Sequence, residues 1–249
     1  MTGCANQFRL EHQPLQPTNM KKFMLSLILC LWASASWAFP PGFIGAITQG
    51  AAGGTPDPAI AYEIYSSNSG TGTAATFSTP TGTTDGDLLV MVVNEDAGTG
   101  ITPLAGWTQI AYVDSYASAD AGVYYRVFQT GDAVPSATIG SSTEWSGVVV
   151  RLSKTTGTWS IADFAAAGTL VPLTVTATNP GMLLFLWGSD DPATINTPPA
   201  GMTEVVIVTP ASSRAGAWRQ NVSSAGDYEK SLNVTDQNAH FLVAIGLTL

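Results

Sequence analysis

Histidine, cysteine and positive charge are all scarce in this sequence, which has two histidines, two cysteines, and nine Lys and Arg against 18 Asp and Glu. Both cysteines, Cys4 and Cys30, fall within the first 38 residues. Residues 20–38, MKKFMLSLILCLWASASWA, have a positive start at Lys21 and Lys22, an apolar run from Phe23 to Trp32, and small residues at Ser36 and Ala38. That is the layout of a secretory signal peptide, with an apolar run too short to span a bilayer. Residues 1–38 are therefore read as a leader, translation starting at Met1 or Met20. Cleavage after Ala38 removes both cysteines, so the exported chain is held by its core and not by disulfides. No membrane insertion is expected once the leader is gone.

The other shortages exclude chemistries. His240 is the one histidine left, it sits in an apolar strand, and no G-x-S-x-G elbow occurs. Nucleophilic catalysis with a histidine base and zinc binding both lack their residues. Beyond residue 38 the chain keeps six basic residues (Arg126, Arg151, Lys154, Arg214, Arg219, Lys230) against 17 acidic ones, a balance of −11. Phosphate binding needs clustered Lys and Arg, so nucleic acid is not an expected partner. Clean helical periodicity with caps is also missing, although Ser160 to Ala167 could accommodate a turn or two of helix.

What the sequence does have is a repeat. Residues 86–113, GDLLVMVVNEDAGTGITPLAGWTQIAYV, align without a gap on 181–208, GMLLFLWGSDDPATINTPPAGMTEVVIV, with eleven of 28 positions identical. The register carries on to GVVVRL at 147–152 and LVAIGL at 242–247, so two copies of one unit fill most of the chain after the leader. Each copy opens and closes on a short apolar run (Leu88 to Val93, Val148 to Leu152; Leu183 to Trp187, Phe241 to Leu247) bounded by turn residues. Such runs predict strands buried on both faces, and Thr108 to Val113, Val123 to Phe128 and Glu204 to Val208 predict half-exposed ones.

In the shared turn, Pro103 and Pro198 fix φ and Gly106 and Gly201 free it, so that Trp107 or Met202 drops onto the end of the core. The segment Thr155 to Asn179 is too apolar for a linker. The fold expected is all-β: a single jelly-roll-like antiparallel β-sandwich over 59–249. It is built from two pseudo-symmetric halves of about 59–154 and 155–249, behind an irregular arm at 39–58.

The order GDLLVMVV, TPLAGWT, VYYRVF, GVVVRL, with a weaker second round in GMLLFLW and TPPAGMT, resembles a β-sandwich module of phage tail-fibre and other virion proteins and of bacterial secreted or surface proteins. The resemblance covers roughly 60–249 and rests on turn and core positions, which specify fold far more than function. It implies a non-catalytic structural or adhesion module, secreted, at the cell surface or in a virion. Its partners would be a surface glycan or other virion or surface proteins, and a homo-oligomer is compatible with it. The alternative is a jelly-roll carbohydrate-active enzyme, a glycosidase or lyase working with paired carboxylates. No two of Glu63, Glu95, Glu144, Glu204 and Glu229 alternate on one strand.

Two sets of residues are candidates for binding. Asn94, Glu95 and Asp96 occupy the same place in the first copy as Asp190 and Asp191 in the second, just past a buried strand. Such oxygen clusters suit calcium, or serve as solvated turns that bond their own backbone. Among many rings, Trp145 at a strand entrance and Trp218 beside Arg219 are the candidates for stacking on a sugar, the other reading being core packing.

Overall fold

In the computed structural model the residues described are 59–248, apart from 104, 115–118, 179, 191–193 and 235–237. All lie within the unit Gly53–Leu249. The expected leader with its signal peptide, the expected arm at 39–58, and Asp191 lie outside the described residues.

The described chain is all β, with no helix among the described residues. The first copy supplies β1 (Ile60–Thr76), β2 (Leu88–Glu95), β3 (Ile101–Pro103), β4 (Thr108–Asp114), β5 (Asp120–Val127) and β6 (Ser136–Lys154). The second supplies β7 (Thr158–Ala167), β8 (Leu173–Ala177), β9 (Gly181–Ser189), β10 (Ile195–Thr197), β11 (Thr203–Val208), β12 (Arg214–Val222), β13 (Gly226–Lys230), β14 (Asn233–Val234) and β15 (Asn238–Thr248). Ser160 to Ala167, where a short helix was conceivable, is strand β7, paired antiparallel with β15 from end to end.

Each copy of the repeat builds one sheet. The first sheet has the order β1-β6-β2-β5-β4, with β3 added to β6, and the second has β7-β15-β9-β12-β11. The orders correspond strand for strand under the repeat, and all pairings are antiparallel. The sheets face each other as a sandwich, with β1 against β11, β2 against β9, and β4 against β7.

Strand alternation explains why β2 and β9 are buried along their whole length. Leu88, Val90 and Val92 point to the central core, where they meet Met182, Leu184, Leu186, Phe241 and Val243 of the second sheet. Leu89, Met91 and Val93 point the other way, into an outer cluster with Ile101, Trp107, Tyr124 and Ile139. Leu183, Phe185 and Trp187 do the same on the second sheet, under Leu173 and Val175 of β8 and Leu232 and Val234. The β8–β13 and β10–β14 pairs cover that outer face, while on the first sheet the far ends of β1 and β6 and strand β3 do so. Each fully buried Leu, Val, Ile or Phe is worth about 1.5 to 3 kcal/mol in transfer free energy.

The repeated turn turns out to serve these outer clusters. Gly106 and Gly201 have φ of 92° and 72°, as a bend closed to other residues requires. Trp107 is buried in the first outer cluster and Met202 packs against the second. The expected landing place, the end of one shared core, is thus replaced by the two outer faces, because odd-numbered residues of β2 and β9 are as apolar as even-numbered ones and demand a cover of their own.

Candidate functional site

The proposed stacking residues are core residues. Trp218 is 0% exposed and meets Phe185 edge-on at 6.2 Å. Trp145 is 5% exposed, meets Phe77 edge-on at 5.7 Å, and lies close over Gly70. Rings this deeply buried offer no face to a sugar, so the stacking expectation for Trp145 and Trp218 is corrected. Arg219 carries its guanidinium over the Tyr62 ring at 4.5 Å. Since Tyr62 is on β1 and Arg219 on β12, this contact closes one seam of the sandwich. His240 is likewise structural, buried, stacked on Phe185 at 5.9 Å with Nε2 at 3.0 Å from the Val171 carbonyl.

Nor do the described members of the acidic set, Asn94, Glu95, Asp96 and Asp190, gather into a metal cluster. Asn94 is buried between the sheets, where its Nδ2 donates to the Ser189 carbonyl at 2.8 Å and to Ser213 Oγ at 3.0 Å. Glu95 points to the opposite face of the same strand, and its Oε1 accepts the Thr99 N–H at 2.7 Å. Asp96 donates its backbone N–H to the Glu144 carbonyl, and Asp190 follows Ser189 at the partly buried end of β9. Alternation therefore puts Asn94 and Glu95 on opposite faces of β2, so their oxygens do not converge. Among the described residues no three of His, Cys, Asp and Glu gather in a way that could hold a metal ion.

Two features emerge that the sequence reading did not single out. The first is a polar cluster at the β2 end of the first sheet, made by Glu95, Asp120 and Tyr112. Glu95 faces Asp120 directly across the β2–β5 pair, and Tyr112 on β4 donates its hydroxyl to Asp120 Oδ2 at 2.6 Å. Burial pushes the Glu95 carboxyl above the ordinary carboxylate range, and the nearby Asp120 adds to this while the Thr99 amide opposes it. Burial raises the Tyr112 and Tyr124 hydroxyls too, with Asp120 acting in the same direction.

The second is an open groove of about 280 Å3 at the other seam, between β4–β5 and β7. Thr108, Gln109, Ile110 and Tyr125 form one wall, and Ile161, Ala162, Asp163 and Phe164 the other. Phe164 is 50% exposed. It pairs with Val243, an inward residue of β15, so its ring belongs to the inner face of the sandwich and reaches solvent at this groove. A bulge at Ala162, where the β15–β7 register skips from Asp163 to Ile161, sets this phase. Plain alternation along the sequence from Trp159 and Ile161 would have placed Asp163 inward, so the groove was hidden by the bulge. Asp163 is instead occupied locally, Oδ1 accepting the Phe164 N–H and Oδ2 the Thr176 N–H.

No protein-family model, curated protein or solved structure matches the chain. The fold and the groove stand on their own geometry.

Proposed function

We infer that this chain is a non-catalytic structural or adhesion module of a secreted, cell-surface or virion protein, and that the groove between β4 and β7 is where it contacts a glycan. The observation that carries the reading is the half-exposed Phe164 ring set beside Tyr125, with Thr108 and Gln109 at the rim. An exposed ring face stacks on the C–H face of a pyranose, and hydroxyl and amide groups beside it bond the sugar hydroxyls. The resemblance to virion and surface modules supports the same class of role.

Glycosidic hydrolysis calls for two carboxyl groups flanking the bond. Among the groove residues Asp163 alone has a carboxylate, and both of its oxygens hold backbone amides. Glu95 and Asp120, which do form a pair, are buried away from the groove walls. These positions favour binding over cleavage.

The test is a glycan array probed with the full exported chain and with Phe164→Ala and Gln109→Ala. Binding that the wild type shows and both variants lose supports the groove. Binding that both variants retain in full removes the groove from the account, and a chain that is silent on every glycan removes the ligand class. Release of reducing sugar from a bound glycan would replace the module by an enzyme.

A further inference from the structure

Four residues stand in one row across the first sheet: Trp145 on β6, Glu95 on β2, Asp120 on β5 and Asp114 on β4, each opposite the next. Directly opposed residues on neighbouring strands project to the same face, with Cβ atoms about 5 Å apart. Glu95 is 0% exposed and Asp120 3% exposed, so two carboxyl groups lie side by side out of water.

Each has one oxygen fully engaged. Glu95 Oε1 accepts from the Thr99 amide at 2.7 Å, while Asp120 Oδ2 accepts from the Gly100 amide at 2.8 Å and the Tyr112 hydroxyl at 2.6 Å. The remaining oxygens, Glu95 Oε2 and Asp120 Oδ1, are buried with no donor. As two ionised carboxylates the pair would combine like-charge repulsion with two buried unpaired acceptors. A single proton removes all of this, because it turns one of the orphaned oxygens into a donor for the other.

We propose that Glu95 and Asp120 share one proton at neutral pH, Glu95 Oε2 donating to Asp120 Oδ1, and that this bond latches the 96–100 loop onto the end of the first sheet. The pair carries one negative charge in place of two. The loop depends on it directly, since Thr99 and Gly100 point their amides at the two carboxyl groups. Beyond them, Gly100 accepts the Gly140 N–H at 2.9 Å, and the Thr99 carbonyl fills the space where a side chain on Gly140 would begin. Ile101 then enters β3 against β6.

The surrounding titratable groups are Tyr112 and Asp114 from β4, Tyr124 from β5, Glu144 from β6 and Asp96 on the loop. Glu144 is turned away, its Oε1 accepting the Ser212 and Ser213 amides. What acts on the Glu95 carboxyl is burial first, then the loop amides and Asp120, none of them a cation. A carboxyl raised in the fold adds stability that is complete below its unfolded value and lost as pH rises through the folded one. The latch is therefore closed on the acid side of the raised Glu95 carboxyl and loosens as pH rises through it.

The experiment follows the full exported chain by carboxyl 13C NMR and by amide hydrogen exchange at several pH values, with Glu95→Gln and Glu95→Ala beside the wild type. In Glu95→Gln the amide oxygen takes the Thr99 N–H and the amide nitrogen donates to Asp120, so the bond persists without a titrating proton. The wild type should show Glu95 protonated at pH 7, and its Thr99 and Gly100 protection should fall by about tenfold as the carboxyl ionises. Glu95→Gln should keep that protection at every pH, and Glu95→Ala should lack it throughout. A Glu95 carboxyl found ionised at pH 7, or a Glu95→Gln chain as unprotected as Glu95→Ala, overturns the proposal. If Glu95→Ala fails to fold, the wild-type titration and Glu95→Gln still decide it.

Discussion

Asn94 and Ser189 are counterparts in the two copies of the repeat, and the Nδ2 of the first donates to the backbone carbonyl of the second at 2.8 Å, buried between the sheets. Asn94 is on β2 and Ser189 on β9, the facing central strands, so this bond joins the two sheets at the ends of those strands. The same spot gathers Ser213, whose Oγ lies 3.0 Å from both Asn94 Nδ2 and Ser146 Oγ, and Gly188, where a Cβ would sit 2.5 Å from Asn94 Oδ1. Asn94, one of the residues expected at a calcium loop, is thus part of a polar stitch joining the sheets.

Asn94→Ala removes both donated bonds, the one to the Ser189 carbonyl and the one to Ser213 Oγ. The expected loss is about 2 to 3 kcal/mol, read as a lower urea midpoint at unchanged slope. Gly188→Ala should also destabilise, because its new methyl strikes Asn94. Combined with Asn94→Ala it should cost less than the sum of the two, and a double-mutant cycle with no coupling would count against the stitch.

The repeated turn yields a comparison inside one molecule. Trp107 is buried at the first turn with Arg126 over its ring at 5.8 Å, whereas Met202 is only half-buried at the second. Trp107→Ala should cost about 3 to 5 kcal/mol, and Met202→Ala about 1 to 2 kcal/mol, since less area returns to water. Equal costs in denaturant titrations would mean that the two turns carry the same load despite their different side chains.

The repeat was legible because β2 and β9 are apolar on both faces, which sets a run such as LLVMVV apart from an alternating strand. The one-sheet-per-copy arrangement follows from that run being matched in order, and the apolar stretch 155–179 announced itself as structure through Trp159, Ile161, Leu173 and Val175. Which face Asn94, Glu95, Trp145 and Trp218 occupy was not legible, since neighbours in sequence part company across a sheet and burial depends on the covering layer. Asp120 could have been found only by registering β5 against β2, and Phe164 only by knowing of the bulge at Ala162.

Asp87 and Arg151 form an enclosed ion pair, Nε to Oδ2 at 2.8 Å with little of either side chain exposed. Asp87 Oδ2 also takes the Thr84 amide at 2.8 Å, which holds the turn before β2. Arg151→Ala would leave a buried carboxylate without its cation and should cost about 3 kcal/mol. Arg151→Met, which keeps the apolar packing of the arginine stem, should cost clearly less than Arg151→Ala. Thermal melts of the two variants beside the wild type distinguish these outcomes.

Core rings and groove rings should separate cleanly when both stability and binding are measured. Trp218 is wholly buried against Phe185, so Trp218→Ala should cost about 3 to 5 kcal/mol, while Trp218→Phe should stay folded and bind any array-identified glycan as the wild type does. Phe164 is half in water, so Phe164→Ala should shift stability by about 1 kcal/mol or less. Its effect on binding should instead be large, about tenfold or more in Kd, because a ring truncated at a ligand contact loses its stacking partner. If Trp218→Phe abolished binding in a folded chain and Phe164→Ala did not, the ligand would have to be reached through the outer layer of the second sheet, and the seam between β4 and β7 would be only a gap left where two edges fail to meet.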